Sequence, residues 1–316
     1  MTDVVCVLNN KIGFIGYGNQ ALRIEKILKK LDYKISYIFK PNIIKKSSKY
    51  TNNLENIDNC DVIFICSPNV SHFKYLRKLI GKKYIFCEKP PVSNYNQLLA
   101  LKKIINKKVF FNYNLRFSEI SNLIKKYKKL NFGKLLNANI ILTHGLSSKK
   151  NYYKNWRSKK DLSPKGVFET VAIHAIDMIS YNFNVKKLIF NNLVNTSNKG
   201  TSYDTSFTNL ITNENANINI FTSYNAPLVN SWNFVFENGI INYESNQIKI
   251  SGPKINLDNQ NNFIEPKILF LKKIKYKKIY EDSLYNSVKY FMDKIQNKGF
   301  FDYELSLFSN SLIVKK

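Results

Sequence analysis

Over its first 118 residues the chain alternates short apolar runs with stretches of helical spacing. Runs at 11–15, 34–39, 61–66, 83–87 and 108–112 read as strands. Residues 19–31, 72–80 and 95–105 carry apolar positions at helical spacing, and in the first of these Ala21, Leu22, Ile24, Ile27, Leu28 and Leu31 share one face. Continuous apolar strands separated by helices predict a parallel sheet covered on both faces. Past residue 118 the pattern changes to a helix at 121–130, a strand at 135–143, an irregular Tyr- and Lys-rich segment, and a helix at 166–182 that is apolar almost all round. Strand-like runs follow at 187–194, 206–213 and 216–224, then a hairpin of 231–236 and 240–243 around Asn238-Gly239. Alternating runs at 246–250 and 267–280 and a helix at 283–296 come last. Strands without intervening helices predict a largely antiparallel sheet. The fold class is α/β, with a boundary near residue 118 between a parallel-sheet domain and an α+β domain.

The first run opens onto Gly16-Tyr17-Gly18-Asn19-Gln20-Ala21, a Gly-x-Gly-x-x-Ala turn between a strand and a helix. Gly16 permits the tight turn, Gly18 lets a pyrophosphate approach the backbone, and Ala21 lets helix and strand pack closely. The helix start, at Asn19 and Gln20, offers free N–H groups and the positive end of a dipole to phosphates. This arrangement points to dinucleotide binding. Ligands of such sheets bind beyond the carboxyl ends of the strands, so the residues there are candidates for the same site. Lys40 follows the second run, where an NAD-specific protein carries an acid for the ribose hydroxyls. With Lys45, Lys46 and Lys49 behind it and no carboxylate to repel a 2′-phosphate, Lys40 predicts that NADPH binds at least as well as NADH. Ser67-Pro68-Asn69 and His72 follow the third run, with Ser71 placed to cap the next helix. Glu88-Lys89-Pro90-Pro91 follows the fourth, and a segment with Asn114 and Arg116 the fifth.

In the apolar helix at 166–182, Thr170, His174 and Asp177 stand at i, i+4 and i+7 and share a face. A buried polar stripe needs partners or a cavity. Trp156 and Arg157 precede that helix; the indole face suits a sugar ring, and the guanidinium fork holds anions as lysine cannot.

A net charge of +27 raises the question of nucleic acid, but only four of the 49 basic residues are arginine and lysines run along the whole chain. No nucleic-acid motif accompanies them, so no specific nucleic-acid partner is expected. The lysine excess, with abundant Asn, Ile, Phe and Tyr, has the character of an AT-biased codon usage. Cys6, Cys60, Cys66 and Cys87 show no Cys-x-x-Cys spacing and read as reduced thiols rather than a disulfide frame or a metal site. The first residues lack a signal-peptide pattern and no run reaches membrane-span length, so a cytoplasmic protein with no membrane partner is expected.

Taken together, the glycine turn at 13–21, Ser67-Pro68-Asn69 within 61–73, Glu88-Lys89-Pro90 within 87–91, and the segments 112–117 and 166–177 resemble the Gfo/Idh/MocA family, named for glucose–fructose oxidoreductase and inositol dehydrogenase. The likeness extends over essentially the whole chain. It implies an NAD(P)-binding Rossmann domain over 1–118 and an α+β domain over 119–316, whose open, largely antiparallel sheet carries substrate sites and homo-oligomer contacts. Family members mostly oxidise or reduce sugars, cyclitols and their derivatives. The resemblance thus implies an NAD(P)-dependent oxidoreductase moving a hydride between nicotinamide and a hydroxyl or ketone of a sugar-like small molecule.

Carried over position by position, Lys89 would stand beside the nicotinamide and the reacting hydroxyl, with Lys89–Pro90 often cis. His174 matches the catalytic histidine and Asp177 the acid that follows it. Ser67, Pro68, Asn69, His72 and Glu88 join the cofactor contacts, with Glu88 anchoring the loop or the ribose. Asn114, Arg116, Trp156, Arg157 and Thr170 join Lys89 and His174 on the substrate side. The chain departs from the family at Thr170, where many of its dehydrogenases carry an acid four residues before the histidine. Glu169 lies about 100° round the helix and is no simple substitute. That departure leaves a second reading, a non-catalytic dinucleotide-binding regulator on the same fold.

Overall fold

The computed structural model describes residues 11–42 and 49–315; Cys6, Lys45 and Lys46 lie outside the described residues. The chain divides into two compact units, Met1–Tyr113 with Leu284–Lys316, and Asn114–Ser283.

In the first unit β1 (Ile12–Ile15), β2 (Ile35–Phe39), β3 (Tyr50–Thr51), β4 (Val62–Ile65), β5 (Tyr84–Glu88) and β6 (Val109–Asn112) form one sheet in the order β3-β2-β1-β4-β5-β6. All neighbours pair in parallel. Helices α1 (Asn19–Lys30), α2 (Glu55–Asp58), α3 (His72–Leu79) and α4 (Tyr95–Ile104) alternate with the strands. This is the expected Rossmann arrangement. Strands β1, β4 and β6 are buried along their whole length, as apolar runs between two helical layers must be. The strand order reverses at β1, so the switch point falls where the glycine turn leaves the sheet. The two-residue strand β3 is too short to leave a periodic signal.

The second unit holds α5 (Glu119–Lys129), β7 (Leu135–Thr143), a π-helical turn at Phe168–Ala172 running into α6 (Ile173–Asn182), and seven further strands. These are β8 (Val185–Val194), β9 (Thr205–Thr212), β10 (Asn217–Ser223), β11 (Val229–Phe236), β12 (Gly239–Glu244), β13 (Gln247–Ser251) and β14 (Ile268–Lys273). They form a sheet in the order β14-β13-β12-β11-β7-β10-β9-β8, antiparallel except where β7 lies parallel to β10. One face is core, with Ile140, Leu210, Ile218, Ile220, Trp232 and Phe234 buried. The other is open: Asn209 donates to Asn219 at 2.8 Å and Asn219 to Asn139 at 2.9 Å across three strands, flanked by exposed Leu136, Ile141 and Phe207.

The chain ends in α7 (Tyr276–Gln296) and α8 (Glu304–Val314). The expected strand-like run at 267–280 therefore stops at Lys273, and α8 follows without having been anticipated. Residues 284–316 fall in the Rossmann unit rather than with 119–283. The cause is aromatic packing: the Phe291 ring lies 5.6, 5.3 and 5.7 Å from those of Phe64, Phe86 and Phe110, and Phe301 lies 5.4 Å from Phe110. Burial of several aromatic rings against one sheet outweighs proximity along the chain.

Candidate active site

The glycine turn is built as its residue types require. Gly16 has φ +81°, its N–H donates to the Phe39 carbonyl at 3.1 Å, and a Cβ there would stand 2.7 Å from the Ser67 backbone. Gly18 is the opposite case: a Cβ would meet nothing within 4 Å, so open space lies over the turn. Gly18 is also the N-cap of α1, with no capping side chain and no acid in the first turn, which leaves the first N–H groups to a ligand. Ala21 is fully buried against the sheet. Asn69, after β4, is buried with an amide nitrogen that has no hydrogen-bond partner. An open glycine turn and an unsatisfied buried donor at adjacent strand ends fit a dinucleotide.

Gln20 and Glu88 are brought together, Gln20 Nε2 donating to Glu88 Oε1 at 3.0 Å. Asn112 donates to the same oxygen at 2.7 Å and is itself held by Ser287 at 2.7 Å. Burial pushes the Glu88 carboxyl up, against the pull of Asn112, Lys89 and Gln20. Its neighbours make Glu88 an anchor of the loop that carries Lys89 and the cis Lys89–Pro90 bond. Ser71 does not cap α3; its hydroxyl turns back to Ser67 Oγ and the Pro68 carbonyl, both at 2.7 Å. Pro68 itself is exposed.

Lys40 lies over the rings of Tyr17 and Tyr50, 5.6 and 5.5 Å from their centroids. The sequence suggested no carboxylate nearby, but Glu25, in the second turn of α1, accepts from Tyr17 and pairs with Lys49 at 3.1 Å and Lys29 at 3.3 Å. Although burial opposes it, hydrogen bonds from Tyr17, Lys49 and Lys29 hold the Glu25 carboxyl below its ordinary range. Lys49 is thus committed to Glu25, and Lys40 is the described lysine left facing the end of β2 through aromatic contacts.

In the second unit a cavity of about 160 Å³ is lined by Leu115, Thr143, His144, Thr170, His174 and Tyr280 among others. The helix that supplies Thr170 and His174 was expected to be α-helical throughout. Its opening instead bonds i to i+5 over Phe168–Ala172, a π-helical turn of the kind frequent at functional sites. Gly166 launches it at φ +53°, where a Cβ would fall 1.8 Å from the Tyr203 carbonyl. Thr170 Oγ1 bonds the Gly166 carbonyl at 2.7 Å and the Tyr224 hydroxyl at 2.5 Å. Burial pushes the Tyr224 phenol up, against the pull of the nearby Arg157 charge and the Thr170 hydrogen bond. The His174 ring meets Tyr280 edge to face at 6.5 Å.

The expected polar stripe is split. Thr170 and His174 reach the cavity, whereas Asp177, 1 % exposed, accepts a two-pronged pair from Arg116 at 2.8 and 2.6 Å. Arg116 also packs over Tyr181. Asn114 is buried and donates to Ser283 at 2.7 Å, and Glu169 accepts from Ser163 at 2.6 Å. Arg157 stacks on Trp156 at 4.4 Å, and neither lines the cavity. Residues the sequence left unassigned do line it. Burial, with Arg157 and Lys149 nearby, holds the His144 imidazole below its ordinary range. Tyr280 comes from the first turns of α7, a stretch that reads as strand in the sequence. Among the described residues no group of three or more His, Cys, Asp or Glu is placed to hold a metal, and no helix is long and apolar enough to cross a membrane.

Residues 11–111 match the oxidoreductase family with an NAD-binding Rossmann fold. The matched family is that of the Gfo/Idh/MocA oxidoreductases. No curated protein matches the sequence. Among solved structures, levoglucosan dehydrogenase in complex with NADH and levoglucosan is similar at 17% identity and TM-score 0.78, covering 96% of each chain. A myo-inositol dehydrogenase from Corynebacterium glutamicum is similar at 18% identity and TM-score 0.73, over 96% of this chain and 94% of that one. An Agrobacterium radiobacter oxidoreductase in complex with NAD+, L-tartaric acid and magnesium follows at 13% identity and TM-score 0.76, over 96% and 94%. At such identities the likeness establishes the shared fold across both units.

Proposed function

We propose that this protein is an NAD(P)-dependent oxidoreductase acting on a hydroxyl or ketone of a sugar or sugar derivative. The observation that carries the proposal is the small cavity in which His174 stands among hydroxyl-bearing side chains, on a chain whose other unit belongs to an NAD-binding oxidoreductase family. The solved structures containing levoglucosan and tartaric acid support a polyhydroxylated substrate class. Gly16, Gly18, Asn19, Ala21 and Asn69 would hold the dinucleotide, which supplies hydride chemistry when bound. We assign polarisation of the reacting oxygen to Lys89 and its proton to His174 as general base or acid. Thr170 cannot act as a carboxylate base; fixed between Gly166 and Tyr224, it orients the cavity wall. Asp177, paired with Arg116, is assigned to holding α6 and so the position of His174. Lys40 supports NADPH binding at least as well as NADH. The open Asn-rich sheet face is assigned to a second copy of the chain, and the free Cys60, Cys66 and Cys87 suit a reducing compartment such as the cytoplasm.

Nicotinamide fluorescence titrations with NADH and NADPH, followed by turnover across sugars, cyclitols and sugar acids, test this. Cofactor binding with turnover of at least one compound is expected. Binding of cofactor by folded protein with no turnover across the whole panel would favour the non-catalytic regulator instead.

A further inference from the structure

His72 is fully buried at the start of α3, between the two strand-end loops of the Rossmann unit. Its Nδ1 lies 2.8 Å from the Pro90 carbonyl oxygen and its Nε2 lies 2.8 Å from the Ser67 carbonyl oxygen. Both partners are pure acceptors. A neutral imidazole has one N–H and one lone pair, so it can serve one of these carbonyls while presenting a lone pair to the other; only the imidazolium donates to both. The two carbonyls belong to functionally different loops. Ser67 heads the segment with Asn69 beyond β4, and Pro90 directly follows Lys89 beyond β5.

The rest of the β5 loop is already pinned. Glu88 is tied to Gln20 and Asn112 on one side, and Val92 exchanges two hydrogen bonds with the Asn310 side chain, at 3.0 and 3.2 Å, on the other. The Pro90 carbonyl is the point between those anchors that His72 controls. We infer that His72 is the positioning residue for Lys89, a tie between the cofactor loop and the Lys89 loop that is complete only when its ring is protonated.

The charge balance around the ring sets the direction. Burial is the main force against the charged form, the two carbonyls favour it, and the Lys89 ammonium, the charged group facing the ring, opposes it; the net effect holds the imidazole below its ordinary range. The second N–H therefore appears only on acidification. Above that transition one of the two ties opens and the Lys89 loop is held less firmly; below it both loops are locked together.

The inference rests on dinucleotide binding by this unit, and its test separates the two. The chain has three histidines, so 15N-histidine NMR of the whole protein resolves each ring, and His72→Gln identifies the His72 signals. Calorimetric titration with NAD+, which lacks the titrating 2′-phosphate, is run from pH 5.5 to 8. Expected is a His72 ring with two hydrogen-bonded N–H groups at low pH and one at high pH. Alongside it, NAD+ affinity should fall at least about tenfold across the same transition, the scale of one hydrogen bond to a charged group, and His72→Gln should abolish this pH dependence. If His72→Gln fails to fold, His72→Asn and the wild-type NMR titration carry the test. A ring with one N–H throughout, with NAD+ affinity independent of pH, overturns the inference. Failure of NAD+ to bind at any pH defeats the dinucleotide reading and the inference with it, whereas binding without sugar turnover leaves the positioning role standing.

Discussion

Asp177→Ala should destabilise the second unit far more than it impairs any direct chemistry. Asp177 is 1 % exposed and Arg116 11 %, and the two form a paired contact at 2.6 and 2.8 Å. Removing the carboxylate takes both prongs of the pair from a largely buried guanidinium, a change that costs about 3–5 kcal/mol, where an exposed pair such as Lys277–Glu281 would cost about 0–1 kcal/mol. For a unit of this size that corresponds to a fall of roughly 6–20 °C in its unfolding temperature. Arg116 also packs over Tyr181, so Arg116→Ala adds a packing loss of its own. The double variant Arg116→Ala/Asp177→Ala should lose clearly less than the sum of the single variants, because the two side chains share one paired contact. Urea unfolding followed by circular dichroism, run as a double-mutant cycle, supplies the numbers. At a temperature where the protein stays folded, Asp177→Asn should keep far more turnover than His174→Ala. A cost below about 1 kcal/mol for Asp177→Ala with no coupling to Arg116 would show that the carboxylate serves another partner, and the structural role given to it here would fall.

Turnover should drop by about a hundredfold or more in Lys89→Ala and in His174→Ala, the scale of general acid–base assistance. Cofactor affinity should hold steady in the His174 variant, and near-normal rates in His174→Asn would remove His174 from proton transfer. Lys40→Ala should weaken NADPH more than NADH in a competition titration; a clear NADH preference unchanged by the substitution would refute the assignment. Thr170→Val should cost only a modest factor in turnover, since it removes a neutral hydrogen bond to the Tyr224 hydroxyl and no titrating group, and a loss as large as that of His174→Ala would place Thr170 in the chemistry itself.

The parallel sheet, the glycine turn and the residues at the strand ends are legible along the chain because each depends on local pattern. Five apolar runs spaced by amphipathic helices leave few alternatives to a doubly wound sheet, and Gly16 at φ +81° does what a glycine in that turn must do. The polar stripe of the 166–182 helix is legible as chemistry but not as geometry. Its spacing assumes one α-helical period, whereas the π-helical opening changes the phase between Thr170 and Asp177. Asp177 then finds Arg116, 61 positions earlier, a partner no periodicity can name.

The same holds for the other long-range assignments. Glu25 pairs with Lys49, the residue before β3, His144 and Tyr280 meet His174 from a strand end and a distant helix, and the last helices join the Rossmann unit through Phe291 and Phe301. Backbone period and turn chemistry are properties of a few adjacent residues and survive in the sequence. Charge pairing, cavity lining and aromatic packing depend on which distant surfaces are brought within a few ångströms, and that is set by burying all the apolar faces at once.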